Sequence, residues 1–232
     1  MPAALRVAAL TRHLLGQPAT AIAARGTTVR AMAAAADGRS VGRLPPDETA
    51  LLVCDVQERF RPVISGFPAV VDTSRRMLRA ASALQLPVIV TEQYPKALGN
   101  TVEELQPHIP PGSPVVAKTL FSMCTDEVNA ALEGLPAVKK VLIVGIETHV
   151  CVLQTCLDLL ERGYEVHIVV DGVSSQRLGD RSVALQRLAQ AGAFLATSEM
   201  VMFQMMRNTG HPAFKAVSAL CKEERPEQLP AA

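Results

Sequence analysis

The chain has 232 residues, of which 49% are hydrophobic, and its formal net charge at pH 7 is +1. This length suffices for one sizeable α/β core, so a single domain is expected. The near-neutral charge and the 3% content of aromatic residues, with no Trp, argue against nucleic-acid binding, and no apolar run is long enough to span a membrane.

The first 44 residues differ in composition from the rest of the chain. They are rich in Ala and contain several arginines but no acidic residue before Asp37. An Arg-rich, acid-poor segment resembles an organellar transit peptide, so a mitochondrial location is predicted, with the cytoplasm as the alternative. A disordered Ala-rich leader, or translation that starts at Met32, would account for the same composition.

Between residues 45 and 222, short apolar runs alternate with helical patterns. Most of the runs are continuous in Val, Ile and Leu, which is typical of strands buried on both faces of a parallel sheet. Six strands are predicted, over residues 49–55, 87–92, 114–118, 140–145, 165–171 and 193–197.

Apolar residues at helical spacing predict helices over residues 67–85, 151–163 and 181–192, the last two ending at glycines. The alternation of strands and helices indicates an α/β protein with a three-layer α/β/α Rossmann-like doubly wound fold and a mostly parallel six-stranded sheet. The irregular segment 92–114 is predicted to be a lid or a wall of a substrate site, and residues 223–232 a frayed C-terminal tail.

Five cysteines are distributed irregularly along the chain, at Cys54, Cys124, Cys151, Cys156 and Cys221. Because their number is odd and no secretory signal pattern is present, a disulfide framework is not expected and a reducing compartment is favoured. No C-x-x-C motif occurs and the histidines are scattered, so the spacing predicts no zinc site.

Ligands of doubly wound sheets bind beyond the carboxyl ends of the strands, which directs attention to Asp55, Lys118 and Cys151. With Thr148 as an N-cap, Cys151 would lie in the first turn of a helix, where unpaired N–H groups and the helix dipole stabilise a thiolate. Asp55 could accept the thiol proton, and a nearby Lys118 ammonium would favour the thiolate. Each residue also has a structural interpretation: a turn-forming Asp, a solvated Lys and a core Cys.

Other polar residues near these positions are weighed in the same way. His149 could act as a base, but residues two apart on a helix point in different directions, so a pocket wall or surface position is favoured. Asp171, with Ser174 and Ser175, is interpreted as a turn and capping feature rather than a reacting group. Cys54, Cys124 and Cys156 are interpreted as core residues.

The segments LLVCDVQERF, VVAKTLFSMC and VLIVGIETHVCVLQTCLDLLERGYEVHIVVDGVSS together resemble the isochorismatase-like cysteine hydrolases, a superfamily that includes nicotinamidases and N-carbamoylsarcosine amidase. The resemblance covers about residues 47–199. Within the superfamily, TEQYPKALG and AKTLFSM are most similar to the eukaryotic isochorismatase domain-containing proteins, particularly those of type 2.

The resemblance implies roles for individual residues. Asp55 would be the general base, Lys118 the group that stabilises the thiolate and the charge of the transition state, and Cys151 the nucleophile. The backbone N–H groups of Glu147 and Cys151 would form an oxyanion hole, and the peptide bond between Ile146 and Glu147 would be cis although neither residue is proline.

Departures from the family pattern restrict the activity that the resemblance implies. Nicotinamidases carry metal-binding histidines after the second strand, and TEQYPKALGN has none, so no metal and no other cofactor is expected. Isochorismatases of siderophore pathways need no thiol at the position of Cys151. The predicted function is therefore hydrolysis of a small amide or related carbonyl compound through a thioester.

Further expectations concern the pocket, the partners and two rival functions. Glu92, Gln93 and Tyr94 are predicted to line the pocket because they follow a strand end. A small-molecule substrate and a homo-oligomer are expected, with the Met-rich segment EMVMFQMMRN as one candidate interface. The rivals are a catalytically silent interaction module, and a redox sensor in which Cys151 pairs with Cys124 or Cys156.

Overall fold

The structure is a computed structural model of the chain, and it describes residues 40–230. The predicted leader, residues 1–44, lies almost entirely outside the described residues, as does the end of the predicted tail, residues 231–232. The location drawn from the leader therefore stays a prediction.

Strands and helices alternate along the described chain, as the apolar patterns predict. The strands are β1 (Thr49–Cys54), β2 (Val88–Gln93), β3 (Val115–Lys118), β4 (Lys140–Ile146), β5 (Glu165–Ser174) and β6 (Phe194–Ala196). The helices are α1 (Phe67–Leu84), α2 (Pro95–Leu98), α3 (Asp126–Glu133), α4 (Leu153–Glu161), α5 (Leu178–Ala191), α6 (Ser198–Met206) and α7 (Phe214–Cys221), and a π-helical turn, Thr148–Val152, precedes α4.

All six strands pair in parallel in the order β3-β2-β1-β4-β5-β6. In this arrangement the chain winds outward from β1 in one direction and from β4 in the other, so the strand order reverses between these two central strands. The predicted doubly wound α/β/α fold is confirmed. The crevice at the carboxyl ends of β1 and β4 is where such folds bind their ligands.

Two hydrophobic cores lie on opposite faces of the sheet. Leu51 and Val53 of β1 pack with residues of α1, α6 and α7, whereas Leu52 and Cys54 pack with residues of α3, α4 and α5. Every residue of β1 is buried. Burial on both faces is the reason that the strand is continuously apolar instead of alternating.

Capping interactions fix where several helices begin and end. Thr125 caps α3 and Thr197 caps α6, since their hydroxyls accept hydrogen bonds from the amides of Val128 and Met200. The carboxylate of Asp171 also accepts hydrogen bonds from the amide and hydroxyl of Ser198, at 2.7 and 2.6 Å. These contacts give Asp171 a structural role at the start of α6.

The C-terminal tail, expected to be frayed, is bound to the body of the domain along its described residues, so that expectation is wrong. The buried guanidinium of Arg76 donates to the carbonyls of Leu220, Glu223 and Glu224. Further along, Arg181 donates to the carbonyl of Pro230 at 3.0 Å. Paired backbone carbonyls order a segment whose polar composition alone would not have predicted order.

None of the helices within residues 40–230 combines the length and the apolar character that a bilayer-crossing helix requires.

Candidate active site

Asp55 follows the last residue of β1 and is almost completely buried, with 1% of its surface exposed. Its backbone has a positive φ of 53°, a conformation that Asp tolerates better than most residues. Thr91, whose Cα pairs with that of Cys54 across β1 and β2, donates a hydrogen bond to Oδ1 at 2.7 Å. The carboxylate is thus held in one orientation at the centre of the carboxyl edge of the sheet.

Lys118 ends β3 and lies directly beside Asp55. Its Nζ is 2.7 Å from Asp55 Oδ2, and the lysine side chain is 0% exposed. The ammonium also donates to Gln93 Oε1 at 2.7 Å and to the carbonyls of Leu120 and Phe121 at 3.1 and 2.9 Å. These acceptors surround the ammonium and satisfy its three N–H donors.

The electrostatic balance at Lys118 favours the charged ammonium. Burial by itself favours the neutral amine, but the electrostatic interactions with Cys54, Asp55 and Cys151 outweigh burial and raise the pKa of Lys118 above its ordinary value. The lysine is therefore a fixed positive charge next to the carboxylate and within electrostatic reach of both thiols.

Cys151 lies in the π-helical turn, between the end of β4 and the start of α4, and is 7% exposed. The amide of Val152 donates to the carbonyl of Glu147 at 3.1 Å, which closes the wide turn of a π-helix. Cys151 therefore belongs to the first helical turn, as the sequence predicts.

The predicted capping role of Thr148 is wrong. Thr148 is itself inside the π-helical turn, Glu147 occupies the capping position, and no side-chain capping hydrogen bond is formed there. The wide turn moves the start of the helix back by one residue, so that Thr148 already has helical geometry. Among the described residues, the buried Thr148 hydroxyl has no hydrogen-bond partner.

The segment that connects β4 to this turn contains the cis peptide bond between Ile146 and Glu147. The Glu147 carboxylate accepts a hydrogen bond from the amide of Gln176 at 2.8 Å. The backbone of Glu147 and Cys151, which the family resemblance designates as an oxyanion hole, flanks the carboxyl end of β4.

Cys54, interpreted from the sequence as a core residue, is fully buried and also contacts the predicted site residues. Its Sγ lies 3.6 Å from Asp55 Oδ2 and 3.4 Å from the carbonyl oxygen of Ile146. Burial, followed by the Cys151 side chain and the charge of Asp55, raises the pKa of Cys54 well above its ordinary value. The sequence does not predict these contacts, because an apolar run does not show which polar groups the neighbouring strand places beside Cys54.

The three predicted pocket residues have different environments. Gln93 binds Lys118 and also donates to the carbonyl of Thr119 at 3.0 Å. Glu92 is turned away to Thr101, whose amide and hydroxyl donate to Oε1 at 2.7 and 2.8 Å, so its predicted role as a pocket wall is corrected to an anchor of the following loop. Tyr94 is half exposed.

Gln57, two residues after Asp55, holds the end of β2 in place. Its Nε2 donates to the carbonyls of Gln93 and Gly99 at 3.0 and 2.6 Å, and its Oε1 accepts from the Gln93 amide at 2.7 Å. Gln57 therefore positions the residue that binds Lys118, a role that the sequence alone did not identify.

The segment 92–114, predicted as a lid or wall, is packed against the domain. Val102 and Leu105 are fully buried, and the amide of Val102 donates to the carbonyl of Val56 at 3.0 Å. These contacts, together with the Thr101 anchor, favour a fixed wall over a lid.

His149 and two serines lie near the carboxyl end of β5. His149 Nδ1 is 2.9 Å from Ser175 Oγ and 4.0 Å from a Glu147 carboxylate oxygen. Ser174 donates to the carbonyl of Ser65 at 2.6 Å. The contacts of His149 therefore connect it to neighbouring loops, which agrees with a wall position.

The thiols are unpaired and the metal-binding side chains are dispersed in the part of the chain that the structure describes. Within residues 40–230 all five cysteines are free thiols. Over the same residues, His, Cys, Asp and Glu side chains do not form any group of three or more that could hold a metal ion.

Gly145 allows the two central strands to approach each other at the site. Its φ is 119°, and a Cβ at this position would lie 2.0 Å from the carbonyl oxygen of Cys54.

We expect Gly145→Ala to lower the free energy of unfolding by at least about 4 kcal/mol, because the clash is with backbone that cannot move aside. Gly163→Ala is the matched control, since Gly163 has a φ of 83° and open space around it, and it should cost about 1–2 kcal/mol. Urea unfolding of both variants measures the difference, and equal losses would contradict this account of Gly145.

Comparison with known proteins relates most of the described chain to one family. A model of the isochorismatase domain matches residues 49–200. The mouse isochorismatase domain-containing protein 2A is 47% identical over 193 residues, which cover 83% of this chain and 92% of the mouse protein. Isochorismatase family protein 1B of Dictyostelium discoideum is 45% identical over 190 residues, which cover 81% of this chain and 92% of that protein.

Solved structures agree with the sequence comparisons. A structure described as that of MAR1 ribonuclease from Caenorhabditis elegans matches with a TM-score of 0.78 and 46% sequence identity, and the match covers 82% of this chain and 99% of that one. Asp55, Lys118 and Cys151 all lie within the part of the chain that the domain model matches.

Proposed function

This chain belongs to the isochorismatase family, and from that premise we propose that it is a cysteine hydrolase that cleaves a small amide or related carbonyl compound through a thioester on Cys151. The observation that carries the proposal is the Asp55–Lys118 ion pair, buried at the switch point of the sheet and within electrostatic reach of Cys151. Such a set of carboxylate, ammonium and thiol is suited to activate a sulfur nucleophile.

In the first half of the proposed reaction, Cys151 gives its thiol proton to Asp55 and its Sγ bonds to the carbonyl carbon of the substrate. The electron pair of the C=O π bond moves to oxygen, where the amides of Glu147 and Cys151 stabilise the negative charge. When the C=O bond re-forms, the C–N bond breaks and the amine leaves with the proton from Asp55. The acyl group remains on Cys151 as a thioester.

In the second half, Asp55 takes a proton from a water molecule whose oxygen attacks the thioester carbon. The C–S bond then breaks, the acid leaves, and the sulfur of Cys151 takes the proton back from Asp55. Lys118 remains charged throughout and offsets the negative charge that passes between Asp55 and Cys151.

Thiol alkylation tests the proposal before a substrate is known. We expect iodoacetamide at pH 7 to label Cys151 in the folded chain at least about tenfold faster than the thiols of the urea-unfolded chain. Cys124 and Cys221 are internal controls, because burial raises the pKa of each of these thiols, and they should label slowly. Peptide mass spectrometry locates the label, and a Cys151 no faster than the unfolded thiols would remove the basis for a cysteine hydrolase.

Ribonuclease activity is a second candidate function, favoured by the description of the Caenorhabditis elegans structure. The net charge of +1 and the engagement of Lys118 by Asp55 argue against a surface that binds a polyanion. Incubation with a mixed-sequence RNA at low salt distinguishes a ribonuclease from an amide hydrolase. The Cys151→Ala variant is incubated in parallel as the control. RNA cleavage that requires Cys151 would favour this second candidate over the amide hydrolase.

The two rivals make different predictions for the same alkylation experiment. A catalytically silent interaction module would show slow labelling of Cys151. A redox sensor would form an intramolecular disulfide between Cys151 and Cys124 or Cys156 after mild peroxide treatment.

We also propose a homo-oligomer and a mitochondrial location. Light scattering of the purified chain gives its mass in solution, and imaging of the full chain with a C-terminal fluorescent tag gives its location. A monomer, or a wholly cytoplasmic signal, would contradict the respective proposal.

A further inference from the structure

Glu147 holds the turn of Cys151 through its backbone and joins that turn to a neighbouring segment through its side chain. Its carbonyl oxygen accepts hydrogen bonds from the amides of Val150 and Val152, both at 3.1 Å, so it binds the amides on either side of Cys151. Its carboxylate accepts a hydrogen bond from the amide of Gln176, just after β5, at 2.8 Å. The orientation of this one residue therefore determines the orientation of the turn that carries the nucleophile.

A second contact joins the same turn to the same segment. His149 Nδ1 lies 2.9 Å from the hydroxyl oxygen of Ser175, and this serine is completely buried. Two side chains of the turn, those of Glu147 and His149, thus bind two consecutive residues, Ser175 and Gln176. A site is held in its working geometry by supporting contacts of this kind, which fix the residues that carry the reacting groups.

The segment that receives these contacts is itself held at three points. Ser65 donates from its amide to the carbonyl of Ser175 at 3.1 Å and from its hydroxyl to the carbonyl of Gln176 at 2.7 Å. The hydroxyl of Ser174 donates to the carbonyl of Ser65 at 2.6 Å. Residues 174–176 are therefore a fixed support for the turn.

The carboxylate of Glu147 is suited to fix an orientation. Its side chain is only 14% exposed, and the hydrogen bond that it accepts comes from the backbone of another segment. A carboxylate that accepts a hydrogen bond from a backbone N–H forms a charge-assisted bond, which is shorter and stronger than a bond between neutral groups. Because this side chain and the Glu147 amide share one Cα atom, the bond to Gln176 also restricts the direction in which that amide points.

We propose that the Glu147 side chain has a positioning role: its bond to Gln176 directs the backbone amides of Glu147 and Cys151 at the oxyanion. The inference rests on the proposed function, because it assumes that these two amides stabilise the charge of an acyl transfer. Such donors act only when they point at the place where the charge develops. A displacement of about 1 Å can reduce the rate about a hundredfold.

Substitutions of Glu147 in the full chain test the inference. Glu147→Gln keeps an oxygen that can accept the amide of Gln176, whereas Glu147→Met and Glu147→Ala remove it. Glu165→Met is the matched control, because the Glu165 side chain is 13% exposed and also contacts a histidine, but it begins β5 and so lies at the opposite edge of the sheet.

Two reactions of the same thiol distinguish alignment of the amides from activation of the sulfur. Hydrolysis of p-nitrophenyl acetate places negative charge on the carbonyl oxygen, where the amides act. Iodoacetamide is attacked at a saturated carbon, and iodide leaves with the electron pair, so alkylation of Cys151 needs no oxyanion donor. The measurements are kcat and KM for the ester, the alkylation rate of Cys151 by peptide mass spectrometry, and a thermal unfolding curve for each variant.

We expect Glu147→Met and Glu147→Ala to lower kcat by about 10- to 100-fold, with KM within about threefold and the alkylation rate within about twofold of the wild type. Glu147→Gln should keep at least about a third of the wild-type kcat, because it keeps the acceptor. Glu165→Met should leave kcat unchanged. The unfolding temperature of each Glu147 variant should fall by less than about 5 °C, since only one hydrogen bond is affected.

An unchanged kcat in Glu147→Met and Glu147→Ala would overturn the inference, as would a Glu147→Gln chain as slow as these two. Alkylation that slows as much as ester turnover would also overturn it, because the side chain would then act on the thiol. If both variants fail to fold, the carboxylate supports the fold and not the amides, which contradicts the inference as well. Failure of the proposed function looks different, because the wild type would then show neither fast alkylation of Cys151 nor ester turnover that depends on it.

Discussion

Lys118→Met should destabilise the folded chain by about 3–5 kcal/mol, because it removes one partner of a buried ion pair. The methionine removes the charge but keeps most of the volume, which leaves the carboxylate of Asp55 buried without its cation. Both side chains are at most 1% exposed and their charged atoms are 2.7 Å apart. Urea unfolding at pH 7 measures the loss.

The double variant Asp55→Asn/Lys118→Met isolates the contribution of the pair. With both charges absent, no isolated charge remains in the interior, so most of the lost stability should return. Alkylation of Cys151 should stay slow in the double variant, since neither base nor ammonium is present.

Arg75→Met is the surface control, because Arg75 pairs with Asp72 but is one-third exposed, and it should cost about 0–1 kcal/mol. A Lys118→Met chain as stable as that control would contradict the ion-pair account.

The same ion pair gives the stability a defined dependence on alkaline pH. The pKa of Lys118 is raised in the folded chain, so the folded state holds this proton more tightly than the unfolded state does. The stabilisation is fully present below the lysine pKa of the unfolded chain, about 10.4, and is lost as the pH rises through the higher folded value. In Lys118→Met this alkaline loss should be absent.

Cys151→Ala should reduce esterase turnover of p-nitrophenyl acetate, a general acyl donor, by at least about a thousandfold. The substitution removes the only atom to which the proposed reaction attaches the acyl group. Cys156→Ala is the control on the same stretch of chain. Burial raises the pKa of Cys156 to about 12, so it should contribute no turnover. Release of p-nitrophenolate measures both variants, and a Cys151→Ala chain with more than about a tenth of wild-type turnover would contradict the assignment of the nucleophile.

The strands were the most predictable part of the molecule. Burial on both faces makes each strand a continuous apolar run, and the predicted starts of β1, β4 and β5 coincide with the observed ones. The observed β5 extends three residues beyond its predicted end. Gly172 and two serines follow the apolar run of this strand, and residues of these types predict a turn. Polar residues can continue a strand when the neighbouring strand supplies hydrogen bonds, which local composition does not record.

The site was predictable where residues lie at strand ends and unpredictable where contacts cross between strands. Asp55, Lys118 and the turn of Cys151 could be found because the carboxyl ends of parallel strands meet at one edge. The contact of Thr91 with Asp55 depends on the register of β1 against β2. Nothing in the apolar pattern of either strand fixes that register.

The C-terminal tail shows a different limit of sequence reasoning. Its polar residues suggested fraying, yet Arg76 and Arg181 bind its backbone carbonyls. Both arginines are nearly completely buried and lie on helices distant in sequence from the tail. A segment held through its backbone leaves no side-chain pattern from which its order could be predicted.

The mass of a trapped acyl-enzyme tests the central claim most directly. The full chain is mixed with p-nitrophenyl acetate, quenched in acid within the first turnover, digested and analysed by mass spectrometry. We expect an acetyl group on the peptide that contains Cys151, removed by neutral hydroxylamine as a thioester should be, and absent from Cys151→Ala. Turnover that proceeds at the same rate with no acyl group on Cys151 would contradict the account.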